Sequence, residues 1–145
     1  MKKQTNMKIL LIEDDPGTLE VLRFCLEVYI PNVKVIATTL GLEGIRVFGH
    51  ASPDLIILDL DLPDIDGIRV LESVRKTSDV PVIIVAKTGN DELLHKAMKL
   101  GASEDIIEPF DPIDLLMRID KLLKERGIEP KIRLLPHQQE VQITQ

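Results

Sequence analysis

At 145 residues, 44% hydrophobic and 29% charged, the chain has the composition of one globular domain with a single core and room for a short tail. A net charge of −6 and a pI of about 5.1 argue against nucleic-acid contact by this domain, because a phosphate backbone selects a basic footprint. A lone cysteine, Cys25, excludes an internal disulfide framework, and no apolar run is long enough for a bilayer or shaped like a secretory h-region, so a cytoplasmic location without membrane contact is expected.

Taken in order, Lys8 to Ile12 reads as a buried strand that ends in Glu13-Asp14-Asp15. Pro16 suits the first turn of a helix capped by Asp15, and Leu19, Leu22, Leu26 and Ile30 recur at helical spacing. Cys25 falls on the apolar side of that helix and is expected in the core. Val33 to Ala37 is a second strand, and Leu42, Ile45 and Phe48 mark a short helix before Pro53. Leu55 to Leu58 is apolar throughout, the pattern of a strand covered on both faces, and it stops at Asp59. Pro63 and Gly67 punctuate the loop that follows, and Ile68, Leu71 and Val74 give a third helix. Val80 to Val85 is a fourth strand; Leu93, Leu94, Ala97 and Leu100 define a helix stopped by Gly101. Glu104 to Ile107 is a short fifth strand, and Pro112 opens a last helix through Leu123 that ends near Gly127.

Strands alternating five times with helices specify an α/β fold, a parallel sheet with helices on both faces. With five strands the expected order is 2-1-3-4-5, the flavodoxin-like doubly wound form, in which strands one and three flank the switch point. Glu13, Asp14 and Asp59 therefore converge at one sheet edge. Crowded carboxylates repel each other, and Mg²⁺ resolves the conflict because it takes oxygen ligands and keeps several waters. His50, His95 and His137 are scattered and suggest no metal cluster.

Glu13-Asp14, Asp59-Leu-Asp-Leu-Pro63 with Asp66-Gly67, Gly101-Ala102 and Pro109-Phe110 together resemble the receiver domains of bacterial two-component response regulators. The likeness runs from Met7 to about Arg126, so residues 1–126 form the expected receiver unit and 127–145 a tail or truncated linker. The resemblance implies Asp59 as phosphoacceptor, Mg²⁺ held by Asp14, Asp59 and the backbone carbonyl of Asp61, and Glu13 acting through water. It implies a histidine kinase or other phosphodonor protein as partner, and no enzymatic activity beyond self-phosphorylation and self-dephosphorylation. A carboxylate is a competent nucleophile toward phosphorus, and a metal neutralises the transferring group. The Glu108-Pro109 peptide is expected to be cis. Residues 132–144 resemble the linker and first strand of the winged-helix domain of one regulator subfamily. In that subfamily helices four and five and strand five form a symmetric dimer, and here Glu104, Asp114 and Arg118 match its charged positions while Leu94 replaces a basic partner.

Three positions depart from the family. Ala86 stands where it has Thr or Ser, Glu108 where it has Lys before the Pro-Phe pair, and Asp105 where it has an aromatic ring. A charge pair about 4 Å apart is worth roughly 4 kcal/mol at an effective dielectric of 20, so a carboxylate at 108 reverses a sizeable attraction. Lys87 and Thr88, just beyond Ala86, are candidates to compensate. The competing reading is a pseudo-receiver that dimerises or docks without phosphorylation. A haloacid-dehalogenase-like phosphatase built on Asp59-x-Asp61 ranks last, because Pro63 stands where that motif has Thr or Val.

Overall fold

A computed structural model of the chain describes residues 6–134. Five strands and five helices alternate: β1 (Lys8–Ile12), α1 (Pro16–Tyr29), β2 (Lys34–Thr38), α2 (Gly41–Ala51), β3 (Leu55–Asp59), α3 (Gly67–Arg75), β4 (Val82–Lys87), α4 (Asp91–Lys99), β5 (Glu104–Glu108) and α5 (Pro112–Glu125). All four strand pairings are parallel, in the order β2-β1-β3-β4-β5 expected from the sequence. No helix among the described residues is long and apolar enough to cross a membrane.

The sheet separates two apolar layers. On one side Ile9, Leu11, Ile57 and Val85 pack against Leu22, Cys25 and Leu26 of α1 and Leu115, Leu116 and Ile119 of α5. On the other, Leu10, Ile56, Leu58 and Ile84 meet Ile68, Leu71 and Val74 of α3 and Ala97 of α4. Covering both faces is what turns the central strands into unbroken apolar runs. Cys25 is buried, as its place on the apolar side of α1 requires. Asp15 caps α1 by accepting from the Thr18 amide at 2.8 Å, and Asp111 caps α5 by accepting from the Ile113 amide at 2.9 Å; each cap precedes a proline whose missing N–H costs nothing at that position.

Several details differ from the sequence expectation. Strand four begins and ends two residues later than the run Val80 to Val85, because Pro81 has no amide for the ladder and Val82 is its first full member. The shift carries Lys87 into register with Glu108. Leu42 and Leu93 face solvent, while Leu94 is half-buried against the α3 side of the core. The chain beyond α5 stays on the domain as far as it is described: Ile128, Ile132 and Leu134 pack on the α1–α5 layer, and the Arg133 amide donates to the Tyr29 carbonyl at 2.8 Å. Residues 135–145, which include most of the winged-helix-like segment, lie outside the described residues.

Candidate functional site

Strands β1 and β3 are neighbours, and both end at the same edge of the sheet. Asp59 is the last residue of β3, and Glu13 follows β1 with its amide donating to the Thr38 carbonyl at 3.0 Å. Ligand oxygens of Glu13, Asp14 and Asp59 lie within 4.8 Å of one another. Glu13 is 3% and Asp59 9% exposed, so this is a recessed acid cluster and not a solvated rim. Among the described residues it is the one grouping of three or more side chains able to hold a metal, and His50 and His95 take no part in it.

Burial pushes the Glu13 carboxyl up to about 9, and the hydrogen bond to Asp59 together with its negative charge adds to the rise. Burial raises Asp59 as well, opposed by its hydrogen bonds to Glu13 and to the Asp61 amide. Without a cation both carboxyls are held above their ordinary range. This fits a hard divalent ion: the donors are all oxygens, and the charge they cannot hold together is the charge such an ion would balance.

The loop after β3 is pinned at both ends. The Asp61 amide donates to Asp59 Oδ1 at 3.0 Å, which fixes the carboxylate. The Gly67 amide donates to the Leu60 carbonyl at 2.8 Å. A Cβ at Gly67 would sit 2.5 Å from the Asp59 carbonyl oxygen and 2.6 Å from Leu60 Cα, both backbone atoms, so glycine alone lets α3 approach the site. Asp64 accepts from the amides of Gly41 and Leu42 at 2.7 and 2.9 Å and caps α2 from a loop 22–23 residues away. Sequence reading missed Asp64. The one available signal was negative: α2 starts at Leu40-Gly41 with no side chain of its own to cap it.

The structure also places Ala86, Asp105 and Glu108. Ala86 is 3% exposed, pairs with Ile107 and presents only a methyl group to the α3–α4 layer. Asp105 is half-buried in β5, and Arg118 donates to its carbonyl at 3.0 Å. Lys87, Thr88 and Glu108 line a cleft of about 730 Å³ with Asp15, Thr18 and Pro109. The Glu108-Pro109 peptide is cis. On the α4–β5–α5 face, Arg118 pairs with Glu104 at 3.4 Å and Asp114 at 3.2 Å, and Lys121 with Glu104 at 3.3 Å, all within one chain.

The model of the response regulator receiver domain matches residues 9–120. The chain belongs to that family. Receivers are the signalling domains of two-component systems and interact with histidine kinases as phosphodonors. Among the curated relatives, a probable transcriptional regulator, ycf27, of Guillardia theta is 31% identical over 121 residues, 83% of this chain and 47% of the relative. The uncharacterized transcriptional regulatory protein YclJ of Bacillus subtilis is 34% identical over 122 residues, 81% of this chain and 51% of the relative. The chain thus spans about half the length of the curated relatives it matches. Among solved structures, a CheY-like receiver of Methanospirillum hungatei superposes with a TM-score of 0.78 at 26% identity, covering 85% of this chain and 98% of that one. A Clostridium thermocellum receiver gives 0.75 at 29%, covering 83% and 97%. The flavodoxin-like receiver fold and the acidic edge expected from the sequence are both present.

Proposed function

We propose that this receiver accepts a phosphoryl group on Asp59, with Mg²⁺ as cofactor, and acts through protein–protein contacts. The observation that carries the reading is the gathering of Glu13, Asp14 and Asp59 within 4.8 Å at the edge where β1 and β3 part. Asp59 attacks through the oxygen not held by the Asp61 amide. Asp14, Asp59 and the Asp61 carbonyl would hold the ion, and Glu13 would reach it through water. Bound Mg²⁺ neutralises negative charge on the transferring group. The chemistry stops at self-phosphorylation and self-dephosphorylation, so the chain does not act as an enzyme on other substrates. Residues 1–126 are the receiver unit in this reading, and 127–145 the tail. The relatives named transcriptional regulators are about twice as long, and we assign any DNA contact to what lies outside the receiver. A sensor histidine kinase or other phosphodonor protein is the expected donor, and the receiver meets it in the cytoplasm. The test is intact-mass measurement after incubation with Mg²⁺ and an acyl phosphate. An added phosphoryl mass supports the reading; its absence at high donor concentration would falsify it.

A second reading, a dimerisation or docking module indifferent to phosphorylation, is favoured by the α4–β5–α5 face. There Glu104, Asp114 and Arg118 pair within the chain, while Leu93, Ile107 and Met117 are 41–45% exposed beside them. Exposed ion pairs add little, so apolar contact would carry a two-fold interface. Leu94 is half-buried in the core, which makes Leu93 and Ile107 the proper probes. Sedimentation without phosphodonor should show a dimer little affected by salt, dissociated at least about tenfold by Leu93→Glu with Ile107→Glu, a loss of about 1.4 kcal/mol or more. A wild-type monomer at all salt concentrations removes the dimer.

A further inference from the structure

A phosphoryl group on Asp59 brings roughly 1.5 to 2 negative charges into the cleft. The surroundings are already acidic: Glu13 and Asp14 stand beside Asp59, and Glu108 repels Glu13 from the end of β5. A cation is needed opposite the acid cluster, and the ladder shows where one lies. Asp59 pairs with Val85, and Lys87 pairs with Glu108. Alternation along β4 puts Val85 and Lys87 on one face, the α1–α5 side, which by the same alternation is the face of Ile57 and Asp59. A rise of about 3.3 Å per residue and a strand spacing of about 4.8 Å place the Lys87 Cα roughly 8 Å from that of Asp59, within range of a flexible four-carbon stem. Lys87 lines the same cleft as Asp15 and Thr18, so it borders the mouth on the side of the β1–α1 loop. Lys87 makes no ion pair among the described residues.

We propose that the Lys87 ammonium contacts the phosphoryl oxygens on Asp59, so that β4, and not β5, supplies the cation of this site. The proposal rests on the phosphoacceptor reading of Asp59. With an acyl phosphate as donor, a bond forms from Asp59 Oδ2 to phosphorus as the bond from phosphorus to the acyl oxygen breaks. The electron pair leaves with the carboxylate, and no proton is transferred. Lys87 donates N–H to the equatorial oxygens throughout, which favours the transition state and the adduct over the free carboxylate.

The test uses the full chain with Lys87→Gln, Lys87→Arg, Lys87→Glu, and Lys87→Glu combined with Glu108→Lys. Lys99→Gln on α4 is the charge control. Two readouts are taken with saturating Mg²⁺: the rate of adduct formation by intact mass, and the affinity for beryllofluoride by fluorine NMR. Lys87→Gln should slow the first and weaken the second by about 10- to 100-fold. Lys87→Arg should stay within about threefold of wild type, since it keeps a charged donor on a long stem. Lys87→Glu should be the slowest, and adding Glu108→Lys should recover most of the loss, because the two positions face each other in the ladder. The control should match wild type. A Lys87→Gln variant with wild-type rate and affinity overturns the proposal and leaves Asp59 as acceptor. A swap variant as impaired as Lys87→Glu overturns it too. A wild-type protein that forms no adduct and binds no beryllofluoride overturns both readings together.

Discussion

Asp59→Asn should abolish the phosphoryl adduct and raise the stability of the metal-free protein. Ligand oxygens of Glu13 and Asp59 lie within 4.8 Å in a recess where both carboxyls are held above their ordinary range, so the metal-free folded state carries a free-energy cost at neutral pH that the unfolded chain does not. The amide is nearly the same shape, still accepts from the Asp61 amide, and carries no charge. We expect a gain of about 1–2 kcal/mol and a rise of roughly 3–8 °C in Tm, read by calorimetry in chelator at neutral pH. Mg²⁺ should reverse the order by stabilising wild type and leaving the variant nearly unmoved. A variant less stable than wild type without metal would show that the acid cluster is not strained.

The same strain fixes the pH dependence. Glu13 has its carboxyl pushed from an ordinary 4.5 to about 9 by burial and by Asp59. Between those values the folded protein binds more protons than the unfolded chain, so stability is fully present below pH 4.5 and falls progressively as pH rises through 9. Metal affinity should rise over the same window, because the ligands must lose their proton first. Glu13→Gln should flatten the stability curve measured in chelator.

The sequence was most legible where burial forces a pattern. Leu55 to Leu58 and Lys8 to Ile12 show themselves because strands covered on both faces leave little freedom in residue type, and the acids that end them mark the edge. Features set by contacts between distant segments left weaker traces. Leu93 and Leu94 are equally apolar, and only the seating of α4 on α3 buries Leu94 and exposes Leu93. Asp64 reads as a loop acid until α2 is folded against it. Lys87 falls outside the strand read from Val80 to Val85 because an apolar run defines the buried part of a strand, while backbone pairing continues two residues past it. The charges at 104, 114 and 118 match a pattern of contacts between chains, and within one chain Arg118 lies 3.4 Å from Glu104 and 3.2 Å from Asp114.

Binding of beryllofluoride with Mg²⁺ should leave the amides of α4 and β5 nearly unshifted in wild type. A ligand moves an equilibrium only through contacts that differ between its two states. Here the buried Ala86 methyl has no hydroxyl to draw toward a phosphoryl oxygen, and the half-buried carboxylate of Asp105 has no ring to carry the change toward α4. A hydrogen bond to a charged group contributes about 1.5–3 kcal/mol, which corresponds to roughly 10- to 150-fold in a two-state equilibrium. Ala86→Thr with Asp105→Tyr should therefore restore a shift through β5 and the neighbouring face of α4. The β-branched side chain suits the end of β4, and a ring in place of Asp105 stands on the same strand face as the exposed Ile107. Amide spectra of both proteins, with and without the mimic, decide the matter. Large wild-type shifts in β5 and α4 would mean that the switch runs through other residues. A double variant as silent as wild type, although it binds the mimic, would mean that hydroxyl and ring are not the missing parts.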